Sequence, residues 1–198
     1  MSFIGRAALV GLVALLLATG GARSARASVH RGPRMAWDAF DRLVSQWAAI
    51  WSVPRVILWV VATLESGRRP GLVNLDTPEA RARGGAWGLF GVTFRTAQDL
   101  MLEPPLGQYA AAARWDGTPE SLLDPGLNAM IGSYYLAQQW RTFGAFLPTV
   151  AAYQQGPAPV KRIVDAGGNL ATDLPPKGRE YVRRALLVRR ELEGEGIA

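Results

Sequence analysis

The sequence predicts an all-α fold, on three observations. Apolar residues recur at helical spacing from Trp37 onward, no stretch of any length alternates apolar with polar residues, and there is neither an internal repeat nor a low-complexity tract. The 198 residues, 49% of them hydrophobic, suit one domain with a proper core and exclude a disordered chain.

The first 27 residues stand apart from the helical series. Arg6 supplies a positive start, Ala7 to Ala18 an apolar run, and Ala25-Arg26-Ala27 a small-residue cleavage signature. This predicts a secretory signal peptide cut after Ala27, leaving a single domain at residues 28–198. The run is short for a permanent span, although an uncleaved anchoring helix is the other reading. No cysteine follows it, which argues against a lipid anchor. The expected setting is the periplasm or envelope of a bacterium, or a virion if a phage encodes the chain.

The helices follow in order. Trp37 to Trp51 places Phe40, Leu43, Val44, Trp47 and Ile50 on one face. Ser52-Val53-Pro54 reads as a cap with proline in the first turn of the next helix. Val56, Ile57, Val60, Val61 and Leu64 make that helix almost wholly apolar until it stops at Glu65-Ser66-Gly67. Arg68 to Gly85 is polar and reads as a loop or a short two-strand excursion. Ala86 to Val92 is a glycine-spaced turn leading into a helix over Thr93–Leu102. After a loop from Glu103 to Leu123, a helix over Pro125–Phe143 turns Leu127, Ile131, Tyr134, Tyr135 and Leu136 inward. Short helices near Leu147–Gln155 and Ala158–Ala166 precede an amphipathic helix from about Gly178 to Glu193.

Composition removes several kinds of chemistry. Without cysteine there is no disulfide scaffold, no thiolate nucleophile and no Cys-based metal site; the single histidine, His30, excludes a multi-His site and makes a Ser-His-Asp triad improbable. No metal or cofactor is expected. The formal charge is +6, and beyond residue 27 it is 19 basic against 16 acidic residues. No basic block is long enough for a nucleic-acid arm, while a polyanionic partner such as a cell-wall polymer suits the balance.

Glu65 is the candidate for chemistry. It is the only acid between Asp41 and Asp76 and ends an apolar helix. Burial and the negative end of the helix both raise a carboxyl's pKa, and a carboxylic acid kept protonated near neutrality can donate to a glycosidic oxygen. The plainer alternative is a frayed helix end in water beside Arg68 or Arg69. Gly84 to Gly91 lets backbone approach another group closely. Tyr153 ends a helix just before Gly156-Pro157 and is either a core tyrosine or a donor to a buried acid. Trp47, Trp51 and Trp59 lie at core spacing, while Arg179, Tyr181 and Arg183 fit a solvated face equally well.

Taken in order, these segments resemble the catalytic domain of soluble lytic transglycosylases, a peptidoglycan-cleaving family with a lysozyme-like fold. The resemblance covers about residues 53–188. VPRVILWVVATLESG resembles the family's buried helix ending in Glu-Ser. GGAWGLFGVTFRTA resembles its Gly-Ala-x-Gly-Leu-Met-Gln segment with the following Pro-x-Thr-Ala. LLDPGLNAMIGSYYLAQQW is similar to its Asp-Pro…Asn-Ile…Gly…Tyr-Leu helix, TVAAYQQGPAPVKRI to its Ala-Tyr-Asn-x-Gly-Pro, and REYVRRAL to its terminal Tyr-Val signature.

The resemblance implies that Glu65 is a lone catalytic acid/base cutting between N-acetylmuramic acid and N-acetylglucosamine to leave a 1,6-anhydro end. Ser66, Gly88, Leu89, Phe90, Tyr153, Gln154 and Tyr181 would then meet substrate, Tyr153 hydrogen-bonding near Glu65 or the N-acetyl group. The implied partner is the glycan strand, acted on by a monomer, with envelope or virion assembly partners also open. Three departures stand out: Phe90-Gly91 replaces Met-Gln, Gln154 replaces Asn, and the stretch from Glu65 to Gly88 is longer by about one loop. Two other functions remain open. A goose-type lysozyme would hydrolyse the bond with Asp76 or Glu79 activating water. A wall-binding or assembly protein would keep the fold without the activity.

Overall fold

The computed structural model describes residues 32–197, apart from Thr77, residues 110–112 and the side chains of Glu79 and Ala80. The segment 1–27 and His30 lie outside the described residues. The architecture is all-α with one small sheet, built around a central helix. Helix α1 spans Trp37–Trp51 and α2 spans Arg55–Ser66. Six consecutive residues of α2, Ile57 to Ala62, are each at most 1% exposed. A helix apolar on every side must be enclosed, and α2 packs against α1 and three later helices, α6 (Pro125–Phe143), α7 (Phe146–Gln155) and α10 (Pro176–Gly194). Each large side chain so buried contributes about 1.5–3 kcal/mol.

Between α1 and α2 the structure corrects the expected cap. Ser52 is left-handed (φ 56) and its N–H returns to the Ala48 and Ala49 carbonyls, so it ends α1, and Pro54 occupies the N-cap of α2. Ile50 is 42% exposed rather than inward, while Trp47 and Ala48 beside it are buried and Trp51 packs on Tyr109 and Tyr134. The first turn of α2 is tied on two sides. Arg55 pairs with Asp41 at 3.3 Å and donates to the Ile197 carbonyl at 2.9 Å, while Asp41 accepts the Trp59 indole N–H at 2.9 Å.

The polar excursion after α2 holds β1 (Val73–Asn74) and α3 (Pro78–Ala82). Strand β1 pairs antiparallel with β2 (Ala86–Trp87), which pairs with β3 (Val92–Thr93). Helix α4 (Phe94–Met101) starts where the Thr93 hydroxyl accepts the Thr96 N–H, and α6 where the Asp124 carboxylate accepts the Leu127 N–H at 2.8 Å. The expected loop from Glu103 to Leu123 contains α5 (Pro104–Gly107) and a 3₁₀ turn at Pro119–Leu123. Helix α8 spans Pro157–Asp165, and a one-turn helix, α9 at Leu170–Asp173, is too short to show a period in sequence. The last helix starts at Pro176, two residues before its expected start. Among the described residues no helix is long and apolar enough to cross a membrane.

Candidate active site

Glu65 stands in the last turn of α2, where Gly67 closes the helix in the left-handed conformation. Glu65 is half-buried and lines a cleft of about 640 Å³. Burial pushes its carboxyl from 4.5 up to about 7; the Tyr181 hydrogen bond and the charges of Lys177 and Arg184 pull it down without matching the effect. Tyr181 donates to Oε1 at 2.6 Å. Arg68 is no neighbour of this group, for its guanidinium lies over the Trp37 ring at 4.9 Å and the Trp59 ring at 5.5 Å. Of the two environments open for Glu65, the structure gives the dry one.

The other oxygen, Oε2, faces backbone. The turn from Gly88 to Gly91 joins β2 to β3 and runs beneath the carboxyl. Gly91 has φ +58, and an added Cβ would fall 2.9 Å from Glu65 Oε2. Gly88 has φ +71, and a Cβ there would fall 2.5 Å from Leu122 O. Neither position admits a side chain without displacing its neighbours. Three groups pin the turn. Asn128, fully buried in α6, donates to the Trp87 and Leu122 carbonyls at 2.8 and 2.9 Å and accepts the Phe90 N–H at 2.8 Å. The Ser66 hydroxyl donates to Leu89 O at 2.7 Å, and the Tyr153 hydroxyl to Phe90 O at 2.8 Å.

The residues that the resemblance puts beside substrate therefore divide. Glu65, Tyr153, Gln154 and Tyr181 line the cleft, and Gly91 with them. Ser66, at 4% exposed, spends its hydroxyl on the turn, and Leu89 and Phe90 are fully buried, so Ser66, Gly88, Leu89 and Phe90 form a layer behind the cleft wall. Tyr153 stands in the cleft near Glu65 but gives its hydroxyl to Phe90 O, and Tyr181 from the final helix is the phenol that bonds the acid. Burial and the nearby Glu65 carboxyl push both phenols well above the usual tyrosine value, so both are donors at neutral pH. Asn128 escaped the sequence reading. Its signal was an amide on an otherwise apolar helix face, within a segment already matched as a whole. Asp76 is exposed with its backbone N–H on Asn74, outside the cleft lining. Among the described residues lining the cleft, the acids are Glu65 and Glu180, and Glu180 is held ionised by Arg183 at 2.7 Å. No group of three His, Asp or Glu among the described residues is placed to hold a metal ion.

An enclosed helix presenting one dry glutamate to a cleft is an arrangement of lysozyme-like folds, and the family comparison agrees. The transglycosylase SLT domain model matches residues 42–174, and the chain belongs to that family. The fold is similar to the 70 kDa soluble lytic transglycosylase of Escherichia coli, with a TM-score of 0.57 and 23% identity over 78% of this chain and 24% of that one. A complex of the 70 kDa soluble lytic transglycosylase with bulgecin A gives a TM-score of 0.57 and 24% identity over 79% and 25% of the two chains. An inactive mutant of the Pseudomonas aeruginosa lytic transglycosylase Slt gives 0.51 and 17% over 80% and 25%. The chain thus spans about a quarter of the length of these proteins, and at such identities the likeness is one of fold. No curated protein sequence matches the chain.

Proposed function

We propose that this chain is a peptidoglycan lytic transglycosylase in which Glu65 alone serves as acid and then base. The observation that carries the reading is a carboxyl raised to about 7, held by a phenol on one oxygen and facing glycine on the other. Protonated Glu65 gives its proton to the oxygen linking N-acetylmuramic acid to N-acetylglucosamine. The C1–O bond breaks, its electron pair stays on the leaving oxygen, and positive charge develops on the muramoyl ring. The muramoyl C6 hydroxyl oxygen then bonds to C1 while its proton passes to the Glu65 carboxylate. Glu65 is protonated again, no water is consumed, and the product is a 1,6-anhydro sugar. Tyr181 orients the carboxyl and stabilises its ionised interval. Tyr153 and Asn128 hold the turn against which the acid rests, and Gln154 offers its amide to the sugar.

Support for one carboxylate comes from the cleft: Asp76 lies outside it, and Glu180 is engaged with Arg183. Export through the 1–27 segment would bring the domain at 28–198 to the envelope, where its substrate lies. Mass spectrometry of muropeptides released from purified sacculi is the test. Anhydro ends are the expected product. Reducing ends would replace this reading with hydrolysis, and the absence of any product would replace it with wall binding alone.

A further inference from the structure

The reaction just proposed leaves the cations of the cleft without a task. Lys177 and Arg184 line it from α10, and Arg83 from the lengthened excursion after α2. Lys177, Tyr181 and Arg184 are spaced four and three apart, so one helix face carries both cations and the phenol on Glu65. Among the described residues none of the three cations is in an ion pair. The Arg184 Nε is buried with no hydrogen-bond partner, although a buried guanidinium nitrogen ordinarily has one. Two helix starts reach the same cleft, α8 through its N-cap Gly156 and α10 through Lys177 in its first turn, and neither has a side-chain cap. Their N-termini add positive partial charge. Against this stand Glu180, engaged with Arg183, and Glu65 itself. Neutral sugar rings have no use for such a wall, whereas carboxylates do.

We propose that Arg184 and Lys177, with Arg83, form a carboxylate-binding subsite beside Glu65 that takes the acid groups of the muramoyl side chain. The inference rests on the glycan reading of the cleft. Its ligand chemistry has two sources on such a strand: the lactyl carboxylate and the carboxylates of the peptide stem.

Calorimetric binding in the Glu65→Gln background tests it without turnover. The probes are a stem-bearing muramoyl tetrasaccharide, the same sugar with its stem removed to leave the lactyl carboxylate, and the stem-bearing sugar with every carboxyl converted to a methylamide. Arg184→Met and Lys177→Met are each expected to weaken the stem-bearing probe by roughly tenfold or more, as loss of a charge-assisted hydrogen bond does. Neither should change binding of the methylamide. Lys177 is exposed, so its variant folds, and Arg190→Met, exposed on the same helix and outside the cleft lining, serves as a control expected to change nothing. Sensitivity shared by the stem-free probe assigns the lactyl carboxylate; sensitivity confined to the stem-bearing probe assigns the peptide. Equal losses on charged and methylamidated probes, or no loss on either, overturn the subsite. Charge-dependent binding by a wild-type protein that releases no product would keep the subsite and discard the proposed reaction.

Discussion

Two glutamates in this molecule receive a tyrosine hydroxyl at the same distance, and only one of them lines the cleft. Tyr181 donates to Glu65 at 2.6 Å, and Tyr134 donates to Glu103 at 2.6 Å. Glu103 also takes the Gln138 amide on both oxygens, at 3.0 and 2.8 Å, and thereby straps the start of α5 to α6. Both of its oxygens are engaged as acceptors, and its job is to join two elements. Glu65 has one donor, and its second oxygen faces a glycine backbone and the cleft. A short tyrosine–carboxylate bond therefore says little by itself. What separates the two is the cleft beside Glu65, the burial that raises its pKa and the oxygen left unclaimed.

The largest effect expected is on Glu65→Gln, which removes the exchangeable proton while keeping the shape. Turnover on sacculi should fall by at least about 10²–10⁴. Glu103→Gln should leave turnover unchanged, and an equal loss in both would erase the contrast. Next comes Gly91→Gln, which installs the amide that the family carries at this position. Here it meets a φ of +58 and the carboxyl at 2.9 Å, so it should displace Glu65 and lower kcat about tenfold or more rather than restore anything. A gain in kcat would show that the turn can refold around a side chain.

Tyr181→Phe is subtler. Its hydrogen bond favours the carboxylate, so losing it raises the Glu65 pKa above about 7. The alkaline limb of the pH–rate profile should move to higher pH, with kcat down several-fold to about tenfold. Tyr134→Phe should instead leave the profile in place and cost about 1 kcal/mol of stability.

The smallest effect is read in stability. Glu65 has a folded pKa near 7 against an ordinary 4.5, so the folded state binds its proton more tightly than the unfolded state does. The resulting contribution is complete below about pH 4.5 and is lost as pH rises to about 7 and beyond, about 3 kcal/mol in all. Melting of Glu65→Gln against wild type at pH 5 and pH 8 checks this: the amide variant should gain on wild type only at pH 8.

Much of the fold was legible because its signals are local. The period of α1, the apolar run of α2 and the Asp-Pro start of α6 each declare a helix within a few residues. The position of Glu65 was legible too, as a lone acid at the end of a nearly all-apolar helix. What stayed hidden depends on contacts distant in sequence. Whether Tyr153 or Tyr181 would reach the acid turns on how α7 and α10 dock, and both tyrosines look alike in sequence. That Ser66 would serve the turn follows only from Leu89 lying 23 residues away across the fold. Ser52 misled because a residue between two helices can start one or end the other, and its positive φ decides which.

The bond from Tyr181 to Glu65 joins residues 116 positions apart, and the bond from Arg55 to Ile197 joins residues 142 apart. Both belong to the single docking of the last helix along α2. A chain emerging from its N-terminus has made the Glu65 carboxyl long before it can enclose it. Until α10 arrives, that carboxyl lacks its phenol and the wall of the cleft that Lys177, Tyr181 and Arg184 supply. On the proposed reaction, competence arrives late in synthesis, and a chain cut short before residue 181 is expected to lack it.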